Sequence, residues 1–176
     1  MSQLIEREFI PLSIAILSVS DTRNEATDQS GAQLVKSLSS VGHQLYEKVI
    51  VKDDLKEISD QISKWIADKN VEVVISTGGT GVTGRDGTPE AIEPLLEKTI
   101  DGFGELFRAL SYEEIGTSSL QSRCLAGVAN GTYIFCLPGS TNACITGWEK
   151  IISLQLDYRT RPCNLVELLP RLKENS

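Results

Sequence analysis

The sequence has little of what a zinc site or a histidine relay requires. It contains one histidine, His43, and four cysteines, at positions 124, 136, 144 and 163, without a C-x-x-C pair. Zinc sites need clustered cysteine and histidine ligands, so these spacings argue against one. They favour reduced thiols, three of them buried. A lone histidine also argues against a His-dependent triad.

Long apolar segments are missing as well. The longest, residues 12–19, is far shorter than the ~20 residues of a membrane helix. Residues 1–8 are polar and lack the apolar region of a signal peptide. We therefore expect a cytoplasmic protein that does not bind membranes. Without repeats or linkers, residues 1–176 are predicted to form a single domain with an ordered core over about 9–172, flanked by frayed termini.

Positive charge is scarce. The chain has 17 Lys and Arg against 24 Asp and Glu, a net charge of −7. Nucleic-acid binding depends on Lys and Arg that neutralise phosphates, so no nucleic-acid partner is expected. A small phosphorylated ligand is compatible with this charge, but backbone amides, a few local cations or a divalent metal must then bind it.

Strands and helices alternate along the chain. Near-continuous apolar runs predict buried parallel strands, and apolar residues at helical spacing predict amphipathic helices, on which Trp65 and Trp148 are core residues. This alternation predicts an α/β fold, a three-layer α/β/α sandwich around a mostly parallel sheet. The predicted strands cover residues 12–19, 48–51, 71–77 and 133–137, and the predicted helices lie within residues 28–41, 55–66, 88–94, 103–113 and 145–156.

One helix start carries a strong signal. Thr88 is predicted to be an N-cap with Pro89 at the first helical position and Glu90 in the first turn. Pro94 lies only a few residues further on, so this helix is expected to be short or kinked.

A glycine-rich loop follows the third predicted strand, with the sequence Ser76-Thr-Gly-Gly-Thr-Gly81. Glycines at a strand end allow backbone amides to approach a phosphate, and threonines add hydroxyl donors. No lysine follows in the Walker position, and the spacing is not that of a dinucleotide-binding loop. The alternative is a tight turn without a ligand.

A second loop, Pro138-Gly-Ser-Thr-Asn142, follows the last predicted strand and opens a helix. Its amides could bind a second anionic group. The alternative is a simple helix cap made by Ser140 or Thr141. Ligands of parallel α/β sheets bind at the carboxyl ends of the strands, where both loops are expected to lie.

Acidic residues stand just past the predicted strands. Asp53 and Asp86 are candidates for Mg²⁺ coordination beside a phosphate, and Asp21 points to the same end of the sheet. Simpler roles remain open: Asp53 or Asp54 could be the N-cap of the Leu55 helix, and Asp86 could form a turn.

An ordered set of motifs runs through nearly the whole chain. In order they are Thr77-Gly-Gly-Thr-Gly81, Arg85-Asp-Gly-Thr-Pro-Glu90, Gly102-Phe-Gly-Glu105, Leu120-Gln-Ser-Arg123 and Leu137-Pro-Gly139. The chain thereby resembles the MoaB/MogA family of molybdenum cofactor biosynthesis, which includes the molybdopterin-binding domains of gephyrin-like proteins. The glycine loop alone is weakly specific for this family, whereas the whole set of motifs in this order is strongly specific.

The resemblance implies a three-layer α/β fold that assembles as a homo-oligomer, a trimer or hexamer, and binds molybdopterin at the strand ends. Catalytic family members are adenylyltransferases: they transfer AMP from Mg·ATP to the terminal phosphate of molybdopterin and release pyrophosphate. ATP is then a co-substrate, Mg²⁺ the cofactor, and other enzymes of the pathway are possible partners.

The resemblance also implies residue roles. Asp53 and Asp86 match the critical carboxylates and would bind Mg²⁺. Gly78 to Gly81 would cradle a phosphate. The full set of expected substrate-binding residues is Ser20, Asp21, Thr77, Gly78, Gly79, Thr80, Gly81, Ser122, Arg123, Pro138, Gly139, Ser140 and Asn142.

Two other functions compete with adenylyl transfer. Not every member of the resembled branch is an active transferase, so the chain could be a non-catalytic molybdopterin-binding or carrier protein. A nucleotide- or flavin-binding protein unrelated to molybdenum is the third hypothesis. Because Asp53, Asp86 and Arg85 are all present, we favour activity.

Overall fold

A computed structural model describes residues 6–174 and contains one six-stranded mixed sheet. The strand order is β2-β1-β3-β6-β5-β4; β2, β1, β3 and β6 run parallel, and β5 pairs antiparallel with both β6 and β4. The mostly parallel sheet is confirmed. The strands are β1 Ser13–Val19, β2 Gln44–Val51, β3 Val73–Thr77, β4 Lys98–Thr99, β5 Leu125–Ala129 and β6 Thr132–Leu137.

Helices cover both faces of the sheet. One apolar cluster joins the sheet to α1, α4 and α5, and a second joins the opposite face to α2 and α3. These three layers confirm the predicted sandwich. The helices are α1 Gln29–Ser40, α2 Leu55–Ala67, α3 Thr88–Ile92, α4 Asp101–Ile115 and α5 Thr141–Gly147; a π-helical turn, Trp148–Ile152, continues α5 into α6 Ser153–Gln155.

The side-chain alternation of β1 explains why its sequence is apolar throughout. Ile14 and Ile16 pack toward α1 and α5, whereas Ala15 and Leu17 pack toward α2. A strand covered on both faces cannot place polar residues on either. Trp65 and the cysteines at 124, 136 and 144 are buried too, as predicted, and Cys163 is exposed.

The hairpin of β5 and β6 was not predicted from the sequence. Its turn residues, Asn130 and Gly131, have φ of 47° and 81°, the left-handed conformation that tight hairpin turns require. Leu125–Ala129 contains two alanines and a glycine, which give a weak strand signal. The hairpin accounts for the reversed direction of β5.

The start of α3 differs from the prediction. Gly87, not Thr88, is the N-cap, and the Thr88 hydroxyl donates a hydrogen bond to the Gly78 carbonyl at 2.8 Å. Thr88 therefore ties the helix to the glycine loop instead of capping it. The expected shortness is confirmed, because α3 passes into a 3-10 turn at Glu93–Leu95, which contains Pro94.

Contacts of Arg7 hold the described amino-terminal end of the chain. Arg7 donates a hydrogen bond to the Tyr158 carbonyl at 3.1 Å and pairs with Glu167. Arg7 thus has fixed partners, while residues 1–5 and 175–176, which the prediction of frayed termini also covers, lie outside the described part. None of the helices within residues 6–174 has the length and hydrophobicity needed to span a membrane.

Candidate functional site

The two predicted loops meet at the carboxyl ends of β3 and β6. The Gly78 amide donates a hydrogen bond to the Leu137 carbonyl at 3.0 Å, and the Thr77 hydroxyl donates one to the Pro138 carbonyl at 2.9 Å. A Cβ atom on Gly139 would lie 3.2 Å from the Gly78 Cα atom. This close approach explains why glycine occupies both positions.

The glycine loop has a backbone conformation that other residues rarely adopt. Gly78 and Gly79 have φ of 104° and 66°, and a Cβ on Gly78 would lie 2.2 Å from the Val19 carbonyl oxygen. Thr88 fixes the loop by donating from its amide to the Gly79 carbonyl at 3.0 Å. Within residues 6–174 the amides of Gly79 and Thr80 donate to no backbone carbonyl, so both can donate to a ligand.

A cavity of about 520 Å³ opens above these loops. Its size suits a small-molecule ligand. The structure thus brings together ten predicted site residues from three strand ends and from the segment before β5. Those lining it are Ser20, Gly78, Gly79, Thr80, Gly81, Asp86, Ser122, Pro138, Gly139 and Ser140.

Four predicted substrate-binding residues do not line this cavity. Thr77 lies beneath the loops with a relative exposure of 1%. Asn142 donates to the Glu114 carboxylate at 2.9 Å, and Asp21 pairs with Arg85 at 2.7 Å. The fourth is Arg123. Ser140 also caps α5, because its hydroxyl accepts from the Ala143 amide at 3.1 Å.

Arg123 braces the glycine loop from outside the cavity. Its Nε donates to the Gly81 carbonyl at 2.7 Å and its Nη2 to the Asp86 carbonyl at 2.9 Å. Nη1 pairs with Glu90, and the Arg123 amide donates to the Thr80 carbonyl. Because these partners engage all three guanidinium nitrogens, the structure gives Arg123 a loop-fixing position.

Asp86 and Asp53 flank the glycine loop. Asp86 Oδ2 accepts from the amide and hydroxyl of Thr83, at 2.8 and 2.6 Å, so Asp86 also forms the turn that the sequence left open. Asp53 Oδ1 accepts from the Gly87 amide at 3.2 Å. Asp54, not Asp53, is the N-cap of α2. The Asp53 carboxylate is therefore available for another role.

The two carboxyl groups have opposite pKa shifts. Burial raises the pKa of Asp53, and the negative charges of Asp86 and Asp21 raise it further. The hydrogen bond from the Thr83 side chain lowers the pKa of Asp86. A carboxyl group whose pKa is raised by burial and by neighbouring carboxylates is typical of a cation-binding or catalytic site.

Both carboxylates line a second cavity of about 350 Å³, and Asp86 lines the first cavity as well. No group of three or more His, Cys, Asp or Glu side chains in residues 6–174 is arranged around a metal position. Mg²⁺ typically binds through one or two carboxylates together with substrate phosphates. The residues present therefore fit Mg²⁺ that arrives with a phosphorylated ligand.

Sequence reasoning missed part of the cavity wall. Arg23, in the Ser20–Asn24 segment after β1, lines the cavity beside Gly139. The sequence feature that could have indicated Arg23 is a single cation among polar residues just after a strand. The opposite wall comes from α4 and the 3-10 turn after it, which no strand-end motif could reveal. The wall residues that were missed there are Phe107, Ser111, Ile115, Ser118, Ser119 and Gln121.

Known proteins share both the sequence and this fold. A family model described as "Probable molybdopterin binding domain" matches residues 15–158. Molybdenum cofactor biosynthesis protein B of Escherichia coli K12 is 57% identical over 164 residues, which cover 93% of this chain and 96% of the relative. The chain belongs to the MoaB/MogA family of molybdenum cofactor biosynthesis proteins.

Solved structures of MoaB proteins have the same architecture. A crystal structure of a molybdenum cofactor biosynthesis protein B superimposes with a TM-score of 0.85 at 37% identity, covering 94% of this chain and 98% of that one. The tungsten cofactor synthesizing protein MoaB from Pyrococcus furiosus gives 0.73 at 38% identity, covering 81% and 91%. The residues matched by the family model, 15–158, include both loops of the candidate site.

Proposed function

We propose that this protein is a molybdopterin adenylyltransferase, which transfers AMP from Mg·ATP to the terminal phosphate of molybdopterin and releases pyrophosphate. The observation that carries the proposal is the position of Asp86. It lines both the 520 Å³ cavity with the glycine loop and the 350 Å³ cavity with Asp53. Two adjoining cavities that share a carboxylate suit two phosphorylated substrates that react with each other.

The chemical step is a displacement at phosphorus. An oxygen of the molybdopterin phosphate attacks the α-phosphorus of ATP, and the bond to the bridging oxygen of the β-phosphate breaks. Pyrophosphate leaves with that electron pair. Such a reaction needs alignment and charge stabilisation more than covalent help from the protein.

The chain's own residues would supply the alignment. The free amides of Gly79 and Thr80 would donate to a phosphate in the first cavity. Asp53 and Asp86 would bind Mg²⁺ and thereby orient the α-phosphate between the cavities. When bound, Mg²⁺ neutralises charge on the triphosphate, which favours departure of pyrophosphate.

A specific contact favours the carrier alternative. Asp86 Oδ2 is already engaged by two donors of Thr83, as expected of a turn-forming aspartate. A non-catalytic molybdopterin-binding protein would need Asp86 only for that turn. The transferase hypothesis requires the Asp86 carboxylate for AMP transfer, whereas the carrier hypothesis requires it only for the turn.

Pyrophosphate release with molybdopterin and Mg·ATP tests the proposal. Asp86→Asn and Asp53→Asn are each expected to reduce release by about 100-fold or more, the usual effect of removing a group that stabilises transition-state charge. Asp60→Asn is the matched control, because Asp60 is exposed on α2 and pairs with Lys56. Full turnover in Asp86→Asn, or no release from a wild type that binds molybdopterin, would overturn the transferase proposal.

We also propose that the protein is a homo-oligomer, a trimer or hexamer. Large apolar side chains of α4 and the following 3-10 turn are exposed, with Leu120 at 83% and Ile115 at 54%. Such a group of exposed apolar residues is typical of an interface. Light scattering should give three or six times the 19.2 kDa chain mass, and a mass of 19.2 kDa would contradict the proposal.

The cellular setting follows from the same function. The three buried, unpaired thiols suit a reducing compartment, so we propose that the protein works in the cytoplasm. Other enzymes that make or consume molybdopterin are its proposed protein partners.

A further inference from the structure

Three arginines lie near the glycine loop, and two are occupied by fixed partners. Arg85 forms a two-point ion pair with Asp21. Arg123 donates to two loop carbonyls and pairs with Glu90. Neither guanidinium is free to bind a ligand in the 520 Å³ cavity.

Arg23 differs from the other two arginines. Its Nη1 donates to the Ser30 hydroxyl at 2.6 Å and its Nη2 to the Gly139 carbonyl at 2.8 Å. A guanidinium has five N–H donors, so these contacts leave donors unused. The side chain is 36% exposed and lines the cavity. Of the described residues that line this cavity, Arg23 alone carries a positively charged side chain.

A buried carboxylate fixes the position of Arg23. Ser30 donates to Asp28 Oδ1 at 3.4 Å, and Asp28 has a relative exposure of 2%. Asp28 Oδ2 accepts from the Ser18 hydroxyl at 2.6 Å and lies 2.9 Å from Lys48 Nζ. Burial alone would raise the pKa of Asp28, but the hydrogen bonds from Ser18, Lys48 and the Gly31 amide outweigh it, and the carboxylate stays charged.

We propose that Arg23 binds the phosphate of the ligand together with the amides of Gly79 and Thr80, and that Ser30 and Asp28 are positioning residues for it. The identity of that ligand, a pterin phosphate, rests on the proposed function. Phosphate binding in this cavity needs a cation, because the Asp86 carboxylate lines the same cavity and repels an anion. A fixed guanidinium offsets this repulsion and favours phosphorylated over unphosphorylated ligands.

The competing role for Arg23 is structural. Its contacts with Ser30 and Gly139 also tie the start of α1 to the second loop. A structural arginine would affect every ligand equally, whereas a phosphate-binding arginine would affect only those that carry phosphate. Pairs of ligands that differ by one phosphate separate the two roles.

The experiment measures dissociation constants for two such pairs, molybdopterin with its dephosphorylated form and AMP with adenosine. Arg23→Ala should weaken binding of each phosphorylated member by about 10- to 100-fold, as expected for loss of hydrogen bonds to a charged group, and leave the unphosphorylated members unchanged. Arg23→Lys should recover part of the loss. Ser30→Ala should give a smaller loss in the same direction.

Arg171→Ala is the matched control, since Arg171 is outside the cavity and pairs with Glu174. Equal weakening of both members of a pair, or no weakening of either, would overturn the assignment of Arg23. If Arg23→Ala weakens AMP but not adenosine, and the wild type binds no pterin, the assignment stands while the proposed function fails. Thermal melting of Arg23→Ala beside Arg23→Lys distinguishes a binding defect from misfolding.

Discussion

The Arg85 guanidinium forms a two-point ion pair with Asp21, with Nε 2.9 Å from Oδ2 and Nη2 2.7 Å from Oδ1. Asp21 follows β1 and Arg85 follows β3, so the pair joins two strand-end segments. Asp21 Oδ1 also accepts a hydrogen bond from the Asp53 amide at 3.1 Å. The ion pair therefore fixes the backbone that carries one of the proposed Mg²⁺ ligands.

Replacing Arg85 should weaken the use of Mg²⁺. The positive charge of Arg85 opposes the upward pKa shift of Asp53, so Arg85→Ala raises this pKa further and a proton competes better with Mg²⁺. We expect the Mg²⁺ concentration for half-maximal pyrophosphate release to rise by about two- to fivefold, as for other exposed charge pairs. The rise should be larger at pH 6 than at pH 8.

Lys56→Ala serves as the control for this titration, because it also removes an exposed cation paired with a carboxylate, Asp60. An unchanged Mg²⁺ requirement in Arg85→Ala at both pH values would show that the ion pair does not influence the carboxylates.

Gly79→Ala should damage the site far more than Gly84→Ala. Gly79 has φ of 66°, and a Cβ there would lie 2.3 Å from the Thr88 hydroxyl and 3.0 Å from Asp53 Oδ2. The left-handed backbone alone costs a non-glycine residue about 1–2 kcal/mol. We expect a lower melting temperature and a loss of ligand binding.

Gly84, which follows the glycine loop and lines the 350 Å³ cavity, gives a matched comparison. A Cβ on Gly84 would contact nothing within 4 Å, and its φ is not in the left-handed range. Gly84→Ala should therefore melt as the wild type does and keep ligand binding in the 520 Å³ cavity, which Gly84 does not line. Equal behaviour of the two variants would mean that the described conformation of the glycine loop is not the one that binds ligand.

Several parts of the site could be predicted because parallel strands determine them. The glycine loop after β3 and the second loop after β6 share one edge, since adjacent parallel strands end together. The hairpin turn Asn130-Gly131 was also readable, as this dipeptide is a strong turn signal, and it was overlooked. A prediction that includes it places β5 antiparallel to β6.

Other features depend on contacts between residues distant in sequence. Arg23 reaches Gly139, 116 positions away, and Arg123 braces a loop 42 positions before it. Both are arginines near polar motifs, yet one faces the cavity and the other faces backbone carbonyls. The packing of α1 and of the segment before β5 determines which way each arginine points. The residues next to each arginine in the sequence do not indicate this orientation.

The four thiols should react in two distinct classes. Cys163 is exposed, whereas Cys124, Cys136 and Cys144 are buried. Burial raises the pKa of Cys136 to about 12 and that of Cys144 to about 11, so neither forms the reactive thiolate near neutral pH. A disulfide reagent should label one thiol per native chain and four after unfolding, and Cys163→Ser should abolish the native labelling. Rapid labelling of more than one native thiol would contradict the buried positions.

His43 should make the folded state sensitive to acid. His43 directly precedes β2, and its buried ring lies against the aromatic rings of Phe9 and Trp148. Its Nδ1 accepts a hydrogen bond from the Leu12 amide at 3.1 Å, which requires an unprotonated Nδ1. Burial lowers the pKa of His43 from 6.5 to about 4, although the carboxylate of Asp157 opposes the shift.

The sign of the effect follows from proton uptake by the two states. Above pH 6.5 both states leave His43 neutral, and the folded state has its full stability. As the pH falls from 6.5 toward 4, the unfolded chain binds a proton that the folded chain resists, so the free energy of unfolding decreases by about 3 kcal/mol. Urea unfolding at pH 7.5, 5.5 and 4.5 measures this decrease. His43→Asn keeps an acceptor for the Leu12 amide but cannot titrate, so its stability should fall less over the same range. Parallel pH dependence in the two proteins would exclude His43 as the source.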